Sequence, residues 1–173
     1  MKKSYFLLLL LFVISSCQDQ VDIEQMIEGL TPIYVDPATA KEIKNLPIQP
    51  IQQLGKIYYK DPYIFVSEIG KGIHVLDNTD PTDPTKITFI QVIGNQDLAI
   101  KNNFLYADNL TDLVVLDISD LMQVKVVNRV ADLYDKTADF PANYQGTFEC
   151  VNPELGVVVG WESAMLDNPR CFR

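Results

Sequence analysis

A single histidine, His74, stands in the 173-residue chain, so any chemistry that needs an imidazole rests on it. A nucleophilic triad would require an orienting acid on one side of that ring and a hydroxyl or thiol on the other. His74 lies inside Ile73-His74-Val75-Leu76-Asp77, and forty residues later its place is taken by Val114. Equivalence to a valine marks it as a packed strand residue. One histidine and no closely spaced cysteine pair also fall short of the usual zinc ligand set. Carboxylates are the richer pool. Asp77, Asp80 and Asp83 share one turn, and Asp117 and Asp120 repeat part of it. Calcium takes several oxygen ligands from such loops, but the spacing is not that of an EF-hand and its bend glycine is missing. These aspartates read as turn formers that bond their own backbone. Glu68 and Asp108 occupy matching strand ends, which would suit a carboxylate pair for glycoside hydrolysis; repetition of a fold accounts for them without chemistry. Tyr63 and Tyr106, with Tyr58, Tyr59 and Phe65, would form either an aromatic platform for a sugar or peptide or part of a core. Trp161, the one tryptophan, is a candidate contact or a core plug. No catalytic residue, metal ligand or cofactor site is assigned.

The elements that would position these residues recur. Residues 57–80 and 97–120 align without a gap at an offset of 40, with Val75, Leu76, Asp77 and Asp80 repeated as Val115, Leu116, Asp117 and Asp120. Each unit reads as four short strands rich in β-branched and aromatic residues, punctuated by Gly, Pro, Asn and Asp. The first unit spans about 55–94 and the second about 95–134. A third, partial unit at 147–173 opens with Phe148 to Val151, a turn at Asn152-Pro153-Glu154, and Val157 to Trp161 as the expected hairpin. Upstream, Asp36-Pro37 is a strong helix start, predicting a helix of two turns through Asn45. Leu46 to Ile51 should be extended, because each proline disfavours helix at its predecessor.

Periods of this size belong to blade arrays. The pentads Ile73-His74-Val75-Leu76-Asp77 and Leu113-Val114-Val115-Leu116-Asp117, each followed by a turn rich in Asx and Ser/Thr, resemble the LVIVD-repeat family of β-propeller-like secreted proteins. The resemblance covers about residues 55–130 and implies architecture and surface display rather than a reaction. Propellers use four to eight blades, and residues 55–173 supply about three. The expected fold is therefore all-β, with blade-like antiparallel four-stranded repeats of about 40 residues forming an incomplete propeller. Three arrangements would complete it: the N-terminal segment joins the β-domain, two chains join sheets, or the natural protein is longer.

Residues 1–16 read as a targeting segment. Lys2 and Lys3 precede the unbroken apolar run Tyr5–Ile14, which suits a signal-peptide core and is too short for a membrane-spanning helix. Ile14-Ser15-Ser16-Cys17 resembles the lipobox of bacterial lipoproteins, in which the cysteine thiol takes a diacylglycerol and the chain is cut before it. Cys17 is thus the expected lipid attachment residue and the cell envelope, most simply the outer membrane, the expected location. Residues 17–54 would form a tether and lead-in, with the β-domain at 55–173. After cleavage 12 basic residues face 23 acidic ones, and no basic run remains for nucleic acid. Cys150 and Cys171 are left as a candidate disulfide in an oxidising compartment. These features favour a non-enzymatic binding or assembly module, working on an envelope protein or on itself through a sheet edge. The rival is a carbohydrate-binding or glycan-processing lipoprotein with Glu68, Asp108 and the tyrosines at one rim.

Overall fold

The computed structural model describes residues 26–134 and 140–173. Cys17 and the acidic stretch after it lie outside the described residues. Three β-sheets account for most of the chain, in agreement with the all-β reading. The first has the order β2-β6-β5-β4-β3, from Lys44–Leu46, Thr85–Gln91, Gly72–Asp77, Tyr63–Glu68 and Leu54–Lys60. The second has the order β10-β9-β8-β7, from Lys125–Val130, Asp112–Asp117, Phe104–Asn109 and Leu98–Lys101. Both are antiparallel throughout and correspond to the two complete repeats.

The expected opening hairpin of the third unit does not form. In its place the third sheet has the order β12-β1-β11-β13, from Val157–Asp167, Met26–Val35, Thr147–Phe148 and Cys171–Phe172. Strand β1, from the segment read as a lead-in, lies between the two strands expected to pair. It runs antiparallel to β12 from Met26↔Asp167 to Val35↔Val157 and parallel to β11 at Leu30↔Phe148. The physical reason is length: β11 has two residues, too few to satisfy the eleven of β12, whereas β1 offers ten. Pro32, which has no N–H to donate, sits in β1 beyond the reach of the short β11. A disulfide joins Cys150 to Cys171, Cα–Cα 5.2 Å, and so fastens β13 beside β11.

Gly29 occupies the centre of β1, where a Cβ would stand 2.5 Å from the Thr147 carbonyl oxygen and 2.6 Å from Leu166 Cδ1. Gly29→Ala is therefore expected to push β1 off its neighbours, at a cost of about 1–3 kcal/mol. Hydrogen exchange would show the loss as faster exchange along β1 and β12, with the first two sheets unchanged.

The predicted two-turn helix is one turn, α1 at Pro37–Lys41, capped by Asp36, whose carboxylate accepts from Ala38 N at 2.9 Å and Thr39 N at 3.0 Å. Such a short helix has little stability of its own. Lys44–Leu46, expected as its end and exit, instead pair with β6 as an edge strand. Pro47–Gln53 then return from that edge to β3 on the opposite edge. Lys86 Nζ donates to the Gln49 carbonyl at 3.1 Å, and Gln52 N donates to Glu68 at 3.1 Å. Both side chains project from the face of the first sheet opposite its core, so this strap caps that face.

The main core forms between the first and second sheets. Phe65, Ile73, Val75 and Ile90 from the first meet Leu98, Ile100, Leu105, Ala107, Val114 and Leu116 from the second, all nearly or fully buried. Burial of each such large aliphatic or aromatic side chain contributes about 1.5–3 kcal/mol. Asp77, Asp80, Asp117 and Asp120 each accept the N–H two residues ahead, at 2.8–2.9 Å, which is the turn-forming role read from their positions.

The gap-free alignment of the repeats is corrected by one residue. Strands β5 and β9 begin 40 residues apart, at Gly72 and Asp112, but β4 and β8 begin 41 apart, at Tyr63 and Phe104. The turn between Glu68 and Gly72 holds three residues, and that between Asn109 and Asp112 holds two. Gly94, at φ +80°, lets the chain pass against this tighter turn: a Cβ there would meet Leu110 Cδ2 at 2.6 Å.

Candidate functional site

The shorter turn changes what Glu68 and Asp108 are. Glu68 matches Asn109, and Asp108 matches Ser67, so the two carboxylates are not equivalent strand ends. They also line different cavities. Glu68 is buried on the strap side of the first sheet and accepts from Gln52 N, Gln53 N and the His74 ring, whose Nε2 lies 3.0 Å away. Burial pushes its carboxyl up, but the Gln53 N–H, the His74 ring and the Gln52 N–H outweigh this and hold it below its ordinary range. His74 itself is buried with its ring edge-on to Phe89, centroids 4.9 Å apart. Asp108 accepts from Gln96 N and Asp97 N at 3.0 and 2.8 Å and from Asn95 Nδ2 at 3.0 Å. Each carboxylate gathers the backbone that leads into the first strand of its own repeat, Glu68 before β3 and Asp108 before β7. That is a structural use of both carboxylates, each in its own cavity.

The tyrosines are separated too. Tyr63 borders a cavity with Asn103, Asp120 and Leu121, whereas Tyr106 borders another with Asp108, Leu113 and Tyr134. Among the five candidate binding residues two pairs share a cavity: Tyr106 with Asp108, and Glu68 with Trp161, whose cavity is the larger of the two at about 760 Å³. Five elements converge on it: the strap, the Glu68–Gly72 turn, the loop after β6, and strands β1 and β12 of the third sheet. Ile33, Leu46 and Phe89 give it an apolar lining, and Trp161, whose indole lies edge-on to Phe148 at 5.6 Å, also borders it. Its polar groups are mainly carboxamides, which carry no charge and make no catalytic pattern in the sequence.

A second constellation also escaped the sequence. Asp112, with its side chain fully buried, accepts from Arg129 Nη1 at 2.8 Å, Lys41 Nζ at 3.1 Å and Asp132 N at 3.1 Å. Burial raises its carboxyl, yet the Asp132 N–H, Arg129 and Lys41 overcome this and bring its pKa down to about 2. Arg129 also donates to Asn109 Oδ1 at 2.7 Å and to the Lys41 carbonyl at 2.8 Å, while Asn109 Nδ2 reaches the Ala40 carbonyl at 2.9 Å. This knot ties α1 to the turn end of the second sheet. A signal did exist: at an offset of 40, Asp112 and Arg129 replace Gly72 and Phe89. Opposite charges at two core-facing repeat positions imply that they pair.

The outer face of the second sheet is the remaining feature. Registration places Phe104, Tyr106, Leu113, Val115 and Val130 on it. Their counterparts in the first sheet are Tyr63, Phe65, Ile73, Val75 and Ile90, the face that packs into the core. Val130 is 40% exposed where Ile90 is fully buried, and Phe104 is 39% exposed.

Residues 94–132 match the LVIVD repeat family, so the chain carries an LVIVD repeat that takes in the second sheet. No curated protein and no solved structure matches the chain.

Proposed function

We propose that this LVIVD-repeat chain is an envelope lipoprotein, held in the membrane by lipid on Cys17, that acts as a non-enzymatic binding module for a partner protein. The observation that carries the reading is the outer face of the second sheet. It repeats the first sheet's core face, and on it Phe104 and Val130 are exposed and Tyr106 and Leu113 half-buried, with Val115 buried between them. Repeat arrays need a cap on each terminal face. The strap crosses the first sheet's far face, whereas Phe104 and Val130 stand open on the second. The partner this surface fits offers an aliphatic sheet face, of the kind Leu105, Val114 and Leu116 present to the first sheet. Anchoring rests on the Ile14-Ser15-Ser16-Cys17 motif after a basic and apolar leader. More than one acyl chain makes such attachment stable.

The test is cross-linking in intact cells with a tag after Arg173. The expected result is one stoichiometric envelope protein captured by the wild type and lost with Phe104→Glu/Val130→Glu, while the variant keeps its melting temperature. Cys17→Ala should move the protein out of the membrane fraction. Equal capture by the double variant, or no captured protein, overturns the docking surface; membrane retention of the Cys17 variant overturns the anchor.

A further inference from the structure

The 760 Å³ cleft between the first and third sheets has a lining unlike the rest of this acidic chain. Its two charged residues are Glu68 and Lys71, and both are engaged: Glu68 by Gln52 N, Gln53 N and His74, and Lys71 by the Gln52 side-chain carbonyl. The buried carboxylate is therefore not offered to a ligand, and Lys71 is the one cation in the lining. The open polar groups are the carboxamides of Gln53, Gln91 and Gln96, which bond to no other side chain or carbonyl among the described residues. Each offers one carbonyl acceptor and two N–H donors, the complement of a hydroxyl that both gives and takes a hydrogen bond. Trp161, edge-on to Phe148, also lines the cleft and carries an aromatic surface of the kind that takes the C–H face of a sugar ring. The cavity is within the size of sites that enclose small ligands.

We infer that this cleft is a binding site for a short, neutral oligosaccharide, with Trp161 as the stacking surface and Gln53, Gln91 and Gln96 as the hydroxyl-reading groups. The inference is independent of the protein-docking face, which lies on the second sheet. It assigns recognition without hydrolysis, since the one carboxylate in the cleft is tied to backbone N–H groups and His74.

The chain's one tryptophan makes the test direct, because intrinsic tryptophan fluorescence reports this cleft alone. The mature full-length protein would be titrated with neutral oligomers of N-acetylglucosamine, β-1,4-glucose, α-1,4-glucose and mannose, and with oligogalacturonate and a tetra-alanine peptide as contrasts. A saturable fluorescence change is expected with at least one neutral series and with neither contrast. Gln91→Ala/Gln96→Ala, which removes two surface amides, is expected to weaken that binding at least ten-fold at an unchanged melting temperature. Silence toward all four neutral series overturns the site, as does equal response to the uronate or the peptide. Undiminished affinity in the double glutamine variant overturns the assignment of these residues.

Discussion

Asp112→Ala should lower the stability of the protein by about 3 kcal/mol, because it strands the Arg129 guanidinium and the Asp132 N–H around a fully buried position. For a domain of this size that corresponds to a fall of roughly 6–12 °C in melting temperature. The same carboxylate sets an acid limb. Its pKa is about 2 in the folded chain against an ordinary 3.8. A lowered carboxyl stabilises the folded state fully above 3.8, and that contribution fades as the pH falls through 3.8 toward 2. The shift corresponds to about 2 kcal/mol at neutral pH. Denaturant melts between pH 7 and pH 2 should therefore show a steeper loss in the wild type than in Asp112→Ala. Parallel curves would mean that Asp112 is not held as an ion. Pairing with Arg129→Met in a double-mutant cycle should return a coupling of about 1 kcal/mol or more. Simple additivity would show that the two side chains do not act together.

Loss of the Cys150–Cys171 bridge should have a comparable effect on the third sheet. The cysteines are 21 residues apart, and opening a loop of that length is expected to cost about 3 kcal/mol through the freedom returned to the unfolded chain. The bridge holds β13, a two-residue strand that could not secure itself. Cys150→Ser/Cys171→Ser should melt roughly 6–12 °C lower, with hydrogen exchange accelerated first in β11 and β13. Reduction of the wild type should reproduce the double variant. An unchanged melting temperature on reduction would show that the third sheet is held by β1 and β12 alone.

How much of this was legible beforehand differs from element to element. Strand patterns and Asx turns in both repeats were readable because each depends on residues close together in the chain: a β-branched run, an aspartate two residues before an N–H. The LVIVD pentads lie in β5, the central strand of the first sheet, and β9, next to the β10 edge of the second, and their apolar character on both sides follows from packing between neighbours. The identity of β1 was not readable. Its Gly29 and Pro32 weaken it as an isolated strand, and its partner β12 begins more than a hundred residues later. Nor was the site. Glu68 and Asp108 looked paired at an offset of 40, and a single residue fewer in the Leu110-Thr111 turn moved their alignment and turned them to opposite kinds of face.

Local spacing and residue type were enough to specify the all-β class, the two complete repeats and their turns. Tertiary structure alone decided that the N-terminal strand completes the third sheet, that Asp112 and Arg129 meet, and that glutamines and Trp161 surround one cleft. The reason is physical. A strand's alternation states which face is apolar but not which edge will supply its hydrogen bonds, and that choice is made among edges brought together only by the folded chain.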